Sequence, residues 1–263
     1  LPGFVGAGDF FLSFLHGPDK LAFFIFQAMF CGTCVTIFSG AVAERMRFSS
    51  YIFIAGIVAL FVYPIFGHWA WGGLDSGNLV GWLGSRGFVD FAGSTVVHSI
   101  GGWVALAALL VIGPRKGRFD ELGKANEINA SNLPLSVLGT FLLWIGWIGF
   151  NGGSTLVLDD SVAPILAATM LAGGAGAISC MFIGWNVTRV PKVTFLINGS
   201  LGGLVAITAG CHAVDAMQTV IIGGVAGVVC FAVEWVMERL RIDDAVGAVP
   251  VHLGCGIWGT MAL

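Results

Sequence analysis

The chain has 263 residues, 57% of them hydrophobic and 10% charged, with a formal net charge of −3 and a mean hydropathy of +0.91. Soluble domains carry about 25% charged residues, so this composition excludes a globular domain with a large core and points to an all-α, polytopic membrane protein. The apolar runs are continuous rather than alternating, which excludes a β-barrel. The 40 glycines suit a tightly packed helix bundle.

A membrane span needs about 20 residues. In chain order, spans are predicted at 20–43, 50–71, 91–112, 133–152, 162–187, 193–211, 216–237 and 249–263. The chain starts at Leu1 rather than Met and its last span stops at Leu263, so one transmembrane domain over 1–263, truncated at both ends, is expected. Cys31-Gly-Thr-Cys34 has the spacing of a redox or zinc pair. It lies inside the first span without a second pair, and small residues at a helix contact are the better reading. No metal, cofactor or nucleic-acid partner is expected.

The basic residues set the orientation. Arg45 and Arg47 follow the first span, Arg115, Lys116, Arg118 and Lys124 the third, Arg189 and Lys192 the fifth, and Arg239 and Arg241 the seventh. Only Lys20 and Arg86 fall on the other side. The positive-inside rule makes the four richer connections cytoplasmic.

Two spans then carry a lone histidine in opposite directions. His98 follows Asp90 by 8 residues, and His252 follows Asp244 by 8. At 1.5 Å rise each lies about 12 Å along its helix from that acid, one measured from outside and one from inside. In a hydrocarbon core about 30 Å thick, both fall near the midplane. Matching histidines on antiparallel spans are what an inverted five-helix repeat produces, with the site at the repeat interface. Each alone could be a hydrogen-bonded helix contact; two at matched depth favour function. A neutral imidazole both donates and accepts a hydrogen bond, which suits a small polar or protonatable substrate. Glu234 reads as an interfacial residue near Arg239 and Arg241, which disfavours a carboxylate relay. No nucleophile–base or metal-ligand constellation is visible, so an enzyme is not expected.

Other residues keep two readings. His68-Trp-Ala-Trp71 fits an interfacial aromatic belt or a cation–π site. Phe26 and Phe30 share a helix face, facing lipid or lumen. Asp90 precedes an apolar helix and reads as an N-terminal cap or first-turn acid.

Several strings resemble the ammonium transporter family, which includes methylammonium permeases and Rh proteins. They are Gly40-Ala-Val-Ala-Glu-Arg45-Met-Arg-Phe, His68-Trp-Ala-Trp71-Gly-Gly, Asp90-Phe-Ala-Gly-Ser-Thr-Val-Val-His98, Trp147-Ile-Gly-Phe150-Asn-Gly-Gly-Ser154, Asn198-Gly-Ser-Leu-Gly-Gly-Leu-Val-Ala, and Asp243-Asp-Ala-Val-Gly-Ala-Val-Pro-Val-His252. They occur in family order over nearly the whole chain. The resemblance implies eleven helices, an outward N-terminus, an inverted five-plus-five repeat and a homotrimer with one pore per subunit. The family's first two helices and its last are absent here.

The resemblance further implies that His98 and His252 are the pore's twin histidines. Phe30 and Phe150 resemble a stacked gate with Phe26 one turn above. Trp71 and Ser154 resemble an outer ammonium-recruitment site with Trp147 nearby. Asp90 resembles its supporting acid, and Thr208 a pore-lining threonine. His252 is followed by Leu253 where many members have Gly, and Pro250 is expected to bend its helix. The implied function is an ammonium or methylammonium transporter or channel in the cell membrane. The alternatives are an ammonium-sensing receptor fused to a signalling domain and an Rh-type gas channel. A PII-type regulator docking on the segment Arg115 to Lys124 is a further implied partner.

Overall fold

The computed structural model describes residues 3–6 and 16–263, and the larger stretch forms helices joined by connections, the longest at 72–93 and 113–132. The elements are α1 (Pro18–Ala41), α2 (Phe48–Ile57), α3 (Tyr63–Trp71), α4 (Ile100–Ile112), α5 (Leu133–Gly152), α6 (Val162–Thr188), α7 (Val193–Ile207), α8 (Ala216–Arg239) and α9 (Cys255–Met261). Among the described residues, six helical stretches are long and apolar enough to cross a bilayer: Pro18–Ala41, Phe48–Ser76, Ser94–Ile112, Leu133–Thr155, Val162–Thr188 and Ala216–Arg239. Their outer faces carry exposed Leu, Ile and Phe, as on α5 at Leu138, Phe141, Leu142 and Ile145. That pattern fits contact with lipid rather than water.

Among the described residues, three π-helical turns interrupt the bundle. Val58–Val62 joins α2 to α3. It comes just before Pro64, whose missing N–H and bulky ring disrupt the preceding turn, and the wider turn absorbs that. Ser94–Ser99 opens α4 and carries His98. Val249–Gly254 opens α9 and carries His252. Pro250 sits in the first turn of its helix, where a missing N–H costs little. It therefore starts the helix instead of bending it.

The two histidine segments repeat one local design. Asp90 caps the first with four backbone N–H groups, those of Gly93, Ser94, Thr95 and Val96, at 2.8–3.0 Å. Asp244 accepts from Val246, Gly247 and Val249 at the start of the second. Three residues after each aspartate stands a glycine with positive φ, Gly93 at 111° and Gly247 at 78°. A Cβ on Gly93 would also lie 2.6 Å from the Val97 side chain, so only glycine fits. The segments run antiparallel: Thr95 meets Thr260, while Gly102 packs on Leu253 from the other direction. This is the inverted repeat expected from the matched histidines.

Two expected spans are shorter than predicted. The segment expected at 193–211 ends as a helix at Ile207. Beyond it the carbonyls of Thr208 and Ala209 accept the N–H groups of Ala92 and Phe91. The segment expected at 249–263 is a π turn followed by the seven-residue α9. The first of these is shielded by other helices and does not need full membrane length. α7 is buried along most of its length against α6 and α8. Its approach to α6 is backbone to backbone, because a Cβ on Gly176 would lie 2.3 Å from the carbonyl of Gly199. Small residues at such contacts supply van der Waals packing where lipid offers no hydrophobic drive.

The helix ends sort into two faces. One, the aromatic end, carries Trp71, Ser154 and the start of α8. The other, the arginine end, carries the basic connections. There Arg45 and Arg115 close on a buried Asp243, with Nη1 of Arg45 at 3.2 Å and Nε of Arg115 at 2.9 Å. Burial pushes the Asp243 carboxyl up, but the hydrogen bonds and charge of Arg115, with Arg45, outweigh this and hold it below its ordinary value. Cys31 and Cys34 are free thiols on α1, and Cys34 packs against Phe30 and Val97.

Candidate functional site

A column of rings crosses the middle of the bundle. α1 supplies Phe26 and Phe30, one turn apart, with centroids 4.5 Å apart. α5 supplies Phe150, stacked on Phe30 at 4.2 Å and 23°. Face contact at that distance leaves no open passage between the two rings. Trp71, from the last turn of α3, stands edge-on to Phe30 at 5.9 Å. Its indole N–H donates to the backbone oxygen of Asp90 at 2.8 Å. The Asp90 side chain, spent on the helix cap, reaches the column only through the backbone it orders. Burial pushes its carboxyl up to about 6 against the opposing pull of those backbone N–H groups.

Ser154, one turn beyond Phe150, donates its hydroxyl to the Phe150 carbonyl at 2.7 Å. The hydroxyl oxygen keeps its acceptor capacity for another donor. A cavity of about 750 Å³ at this end borders Phe26, Gly153 and the Lys20–Asp75 pair; Trp71 and Ser154 do not line it.

Beneath the phenyl pair lie the histidines. His98 stacks within 5.4 Å of Phe150 and 5.2 Å of His252. Their Nδ1 atoms are 3.2 Å apart, a hydrogen bond in which one ring donates and the other accepts. In the neutral pair one histidine therefore carries its proton on Nδ1 and the other on Nε2. Between them the two Nε2 atoms offer one donor and one acceptor. The Nε2 of His98 is buried and has no partner among the described residues. An unpaired polar atom in so dry a place is costly unless a ligand meets it.

Trp147 was expected with the outer residues, but it lies on the histidine side of Phe150. It stacks on His98 at 5.3 Å and 16°. Its position three residues before Phe150 on α5 puts it almost one turn nearer the arginine end. Thr208, expected to line the pore, is wholly buried and supports Trp147 from behind. Its hydroxyl accepts the Trp147 N–H at 3.0 Å and donates to the Leu204 carbonyl at 2.7 Å.

From the arginine end, a cavity of about 870 Å³ reaches Trp147, His98 and His252. Glu234, expected as an interfacial residue, lines it too. Sequence reading also missed Asp243, whose partners come from two separate connections, Arg45 from one and Arg115 and Arg118 from the other. The available signal was an acid doublet, Asp243-Asp244, among connections otherwise rich in arginine. Of the four basic residues expected to be available in the 115–124 segment, Arg115 is committed to Asp243 and Arg118 to Glu238. Lys116 and Lys124 remain exposed.

This column of rings, closed at one point and floored by a buried imidazole pair, sits inside a bundle of membrane-length helices and marks a polytopic membrane protein. A sequence model described as "Ammonium Transporter Family" matches residues 4–263. The chain belongs to the ammonium transporter family, a family of membrane transporters and channels and not of enzymes. It is 43% identical to ammonium transporter Amt2 of Archaeoglobus fulgidus, over 99% of this chain and 57% of that protein. It is 39% identical to ammonium transporter 1 member 3 of Oryza sativa subsp. japonica, over 98% of this chain and 55% of that one. Among solved structures it is similar to a sensor Amt protein, with TM-score 0.93, 41% identity, 99% of this chain and 65% of that chain. It is also similar to Mep2 of Candida albicans, with TM-score 0.82, 32% identity, and 91% and 51% coverage. The chain thus spans about half to two-thirds of the length of the relatives it matches.

Proposed function

We propose that this chain forms the pore of an ammonium transporter, recruiting ammonium at the aromatic end and passing ammonia along His98 and His252. The single observation that carries this is the histidine pair. Two imidazoles hydrogen-bonded through Nδ1 beneath stacked phenyl rings leave their Nε2 atoms for a small solute that donates and accepts. Ammonia fits that pattern, whereas the bare ammonium ion is too costly in an apolar lumen. On this reading ammonium docks near Trp71, Phe30 and Ser154, gains a cation–π contact and a hydroxyl acceptor, and gives its proton to water at the aromatic end before the Phe30–Phe150 gate. Trp147 forms one wall of the lumen and Thr208 fixes that wall. Asp90 holds the Trp71 support in place.

The arginine end is cytoplasmic on the same reading, by the excess of Lys and Arg there. A homotrimer, and a PII-type regulator meeting the exposed Lys116 and Lys124, belong to the proposal.

The test is the protein reconstituted in liposomes and given an ammonium gradient. Ammonium-dependent uptake or current that His98→Ala abolishes is the expected result. A receptor reading draws on the similarity to the sensor Amt protein. Retained ammonium binding in a folded protein with neither uptake nor current would replace transport by that reading.

A further inference from the structure

α8 turns one face to the 870 Å³ cavity, through Phe231, Glu234, Trp235 and Glu238. The depth of Glu234 follows from a neighbouring contact. Val233 lies against Gly254, so close that a Cβ there would be 3.0 Å from the valine methyl. Glu234 is one residue from that contact and His252 two residues from it. At 1.5 Å rise both sit within about 3 Å of its level along their helices. Glu234 thus lies near the depth of the histidines instead of at the membrane surface.

The cavity's other charged groups are already matched. Lys192 pairs with Glu127 at 2.9 Å and Arg118 with Glu238 at 3.1 Å. Arg115 is held by Asp243, and the Asp244 carboxylate by backbone N–H groups. Glu234 makes no hydrogen bond or ion pair among the described residues, and its Oε2 is buried. A buried charge in a membrane protein is normally paired and marks a substrate or ion pathway. An orphan carboxylate in a cavity with room for a solute is matched by a cation. A single unmatched carboxylate supplies one charge and suits a monovalent ion, since a divalent ion collects several oxygens.

We infer that Glu234 is a cation station in the cavity that opens from the arginine end onto the histidine pair, binding ammonium or methylammonium as it forms from or leaves the lumen. This rests on the transport reading for its purpose but not for its test. Thallium(I), a monovalent ion of ammonium size visible by anomalous scattering, is soaked into crystals of the purified protein. The expected result is an anomalous peak at hydrogen-bonding distance from the Glu234 carboxylate, displaced by excess ammonium. Glu234→Gln keeps the shape and removes the charge, and should lower thallium occupancy at a given concentration about tenfold or more, the size of one lost charged contact. Glu234→Asp should retain the peak, shifted toward α8. No peak at Glu234 in the wild-type crystals, or a peak unchanged by Glu234→Gln, overturns the inference. Liposome currents read the transport function separately. A thallium site with neither ammonium uptake nor current sinks transport and keeps the station; uptake or current without a thallium site does the reverse.

Discussion

Replacing Asp90 tests whether its cap holds the His98 segment in place. The carboxylate takes four backbone N–H groups, Gly93 and Ser94 on Oδ1, Thr95 and Val96 on Oδ2. Ser94 and Val96 are wholly buried, and Asp90 itself is only 4% exposed, so water cannot easily take its place. Each orphaned buried donor costs at least about 1 kcal/mol. Asp90→Ala abandons all four and should cost about 4 kcal/mol. Asp90→Asn keeps an oxygen for Gly93 and Ser94 but turns an NH2 group toward Thr95 and Val96, losing about half, roughly 2 kcal/mol. For a chain of this size 1 kcal/mol moves Tm by about 2–4 °C. The expected falls are therefore about 4–8 °C for Asn and about 8–16 °C for Ala, followed by tryptophan fluorescence on heating in detergent. The measurement belongs at pH 8, well above the value of about 6 to which burial pushes this carboxyl, so that the wild type is ionised. An Asn variant within 2 °C of wild type and no more stable than Ala would refute the reasoning, because the graded loss follows directly from the bond count.

Trp71→Leu removes an indole worth about 0.5–2 kcal/mol to a cation. Methylammonium affinity should fall about two- to thirtyfold, read from the concentration dependence of uptake; unchanged affinity in a folded variant removes Trp71 from the recruitment site. A cysteine placed at Lys116 should resist impermeant thiol reagents added to intact cells and react after permeabilisation. Labelling from outside reverses the proposed orientation. The Asp243 cluster predicts an acid limb of stability. Because Asp243 titrates below its unfolded value near 3.9, its stabilising contribution is complete above about pH 4 and is lost as pH falls through the lower folded value. Asp243→Asn should lower Tm at neutral pH and flatten this acid limb; an acid limb as steep as in the wild type puts the titration elsewhere.

Span order and the paired histidines were readable because both rest on one-dimensional signals, the length of apolar runs and the distance from a boundary acid. The repeat Asp-x-x-Gly-x-x-x-x-His is also present in both halves, at 90–98 and 244–252. The rest depended on rotation about helix axes. A π turn widens a helix by one residue without changing composition, so hydrophobic periodicity could not report the turns that aim His98 and His252. Trp147 and Phe150 stand three apart on α5, and only packing decides that Trp147 stacks on His98 while Phe150 lies between His98 and Phe30. Thr208 is polar beside a lumen, yet its hydroxyl is spent on Trp147 and Leu204. Glu234 misled for the opposite reason. Five residues from Arg239, it seemed to belong to the surface, but α8 meets the π turn of His252 at Val233 and carries the acid inward with it. Depth in this bundle is set by which residues of neighbouring helices touch, and a distance counted along one helix gives it only when that helix starts at the membrane edge.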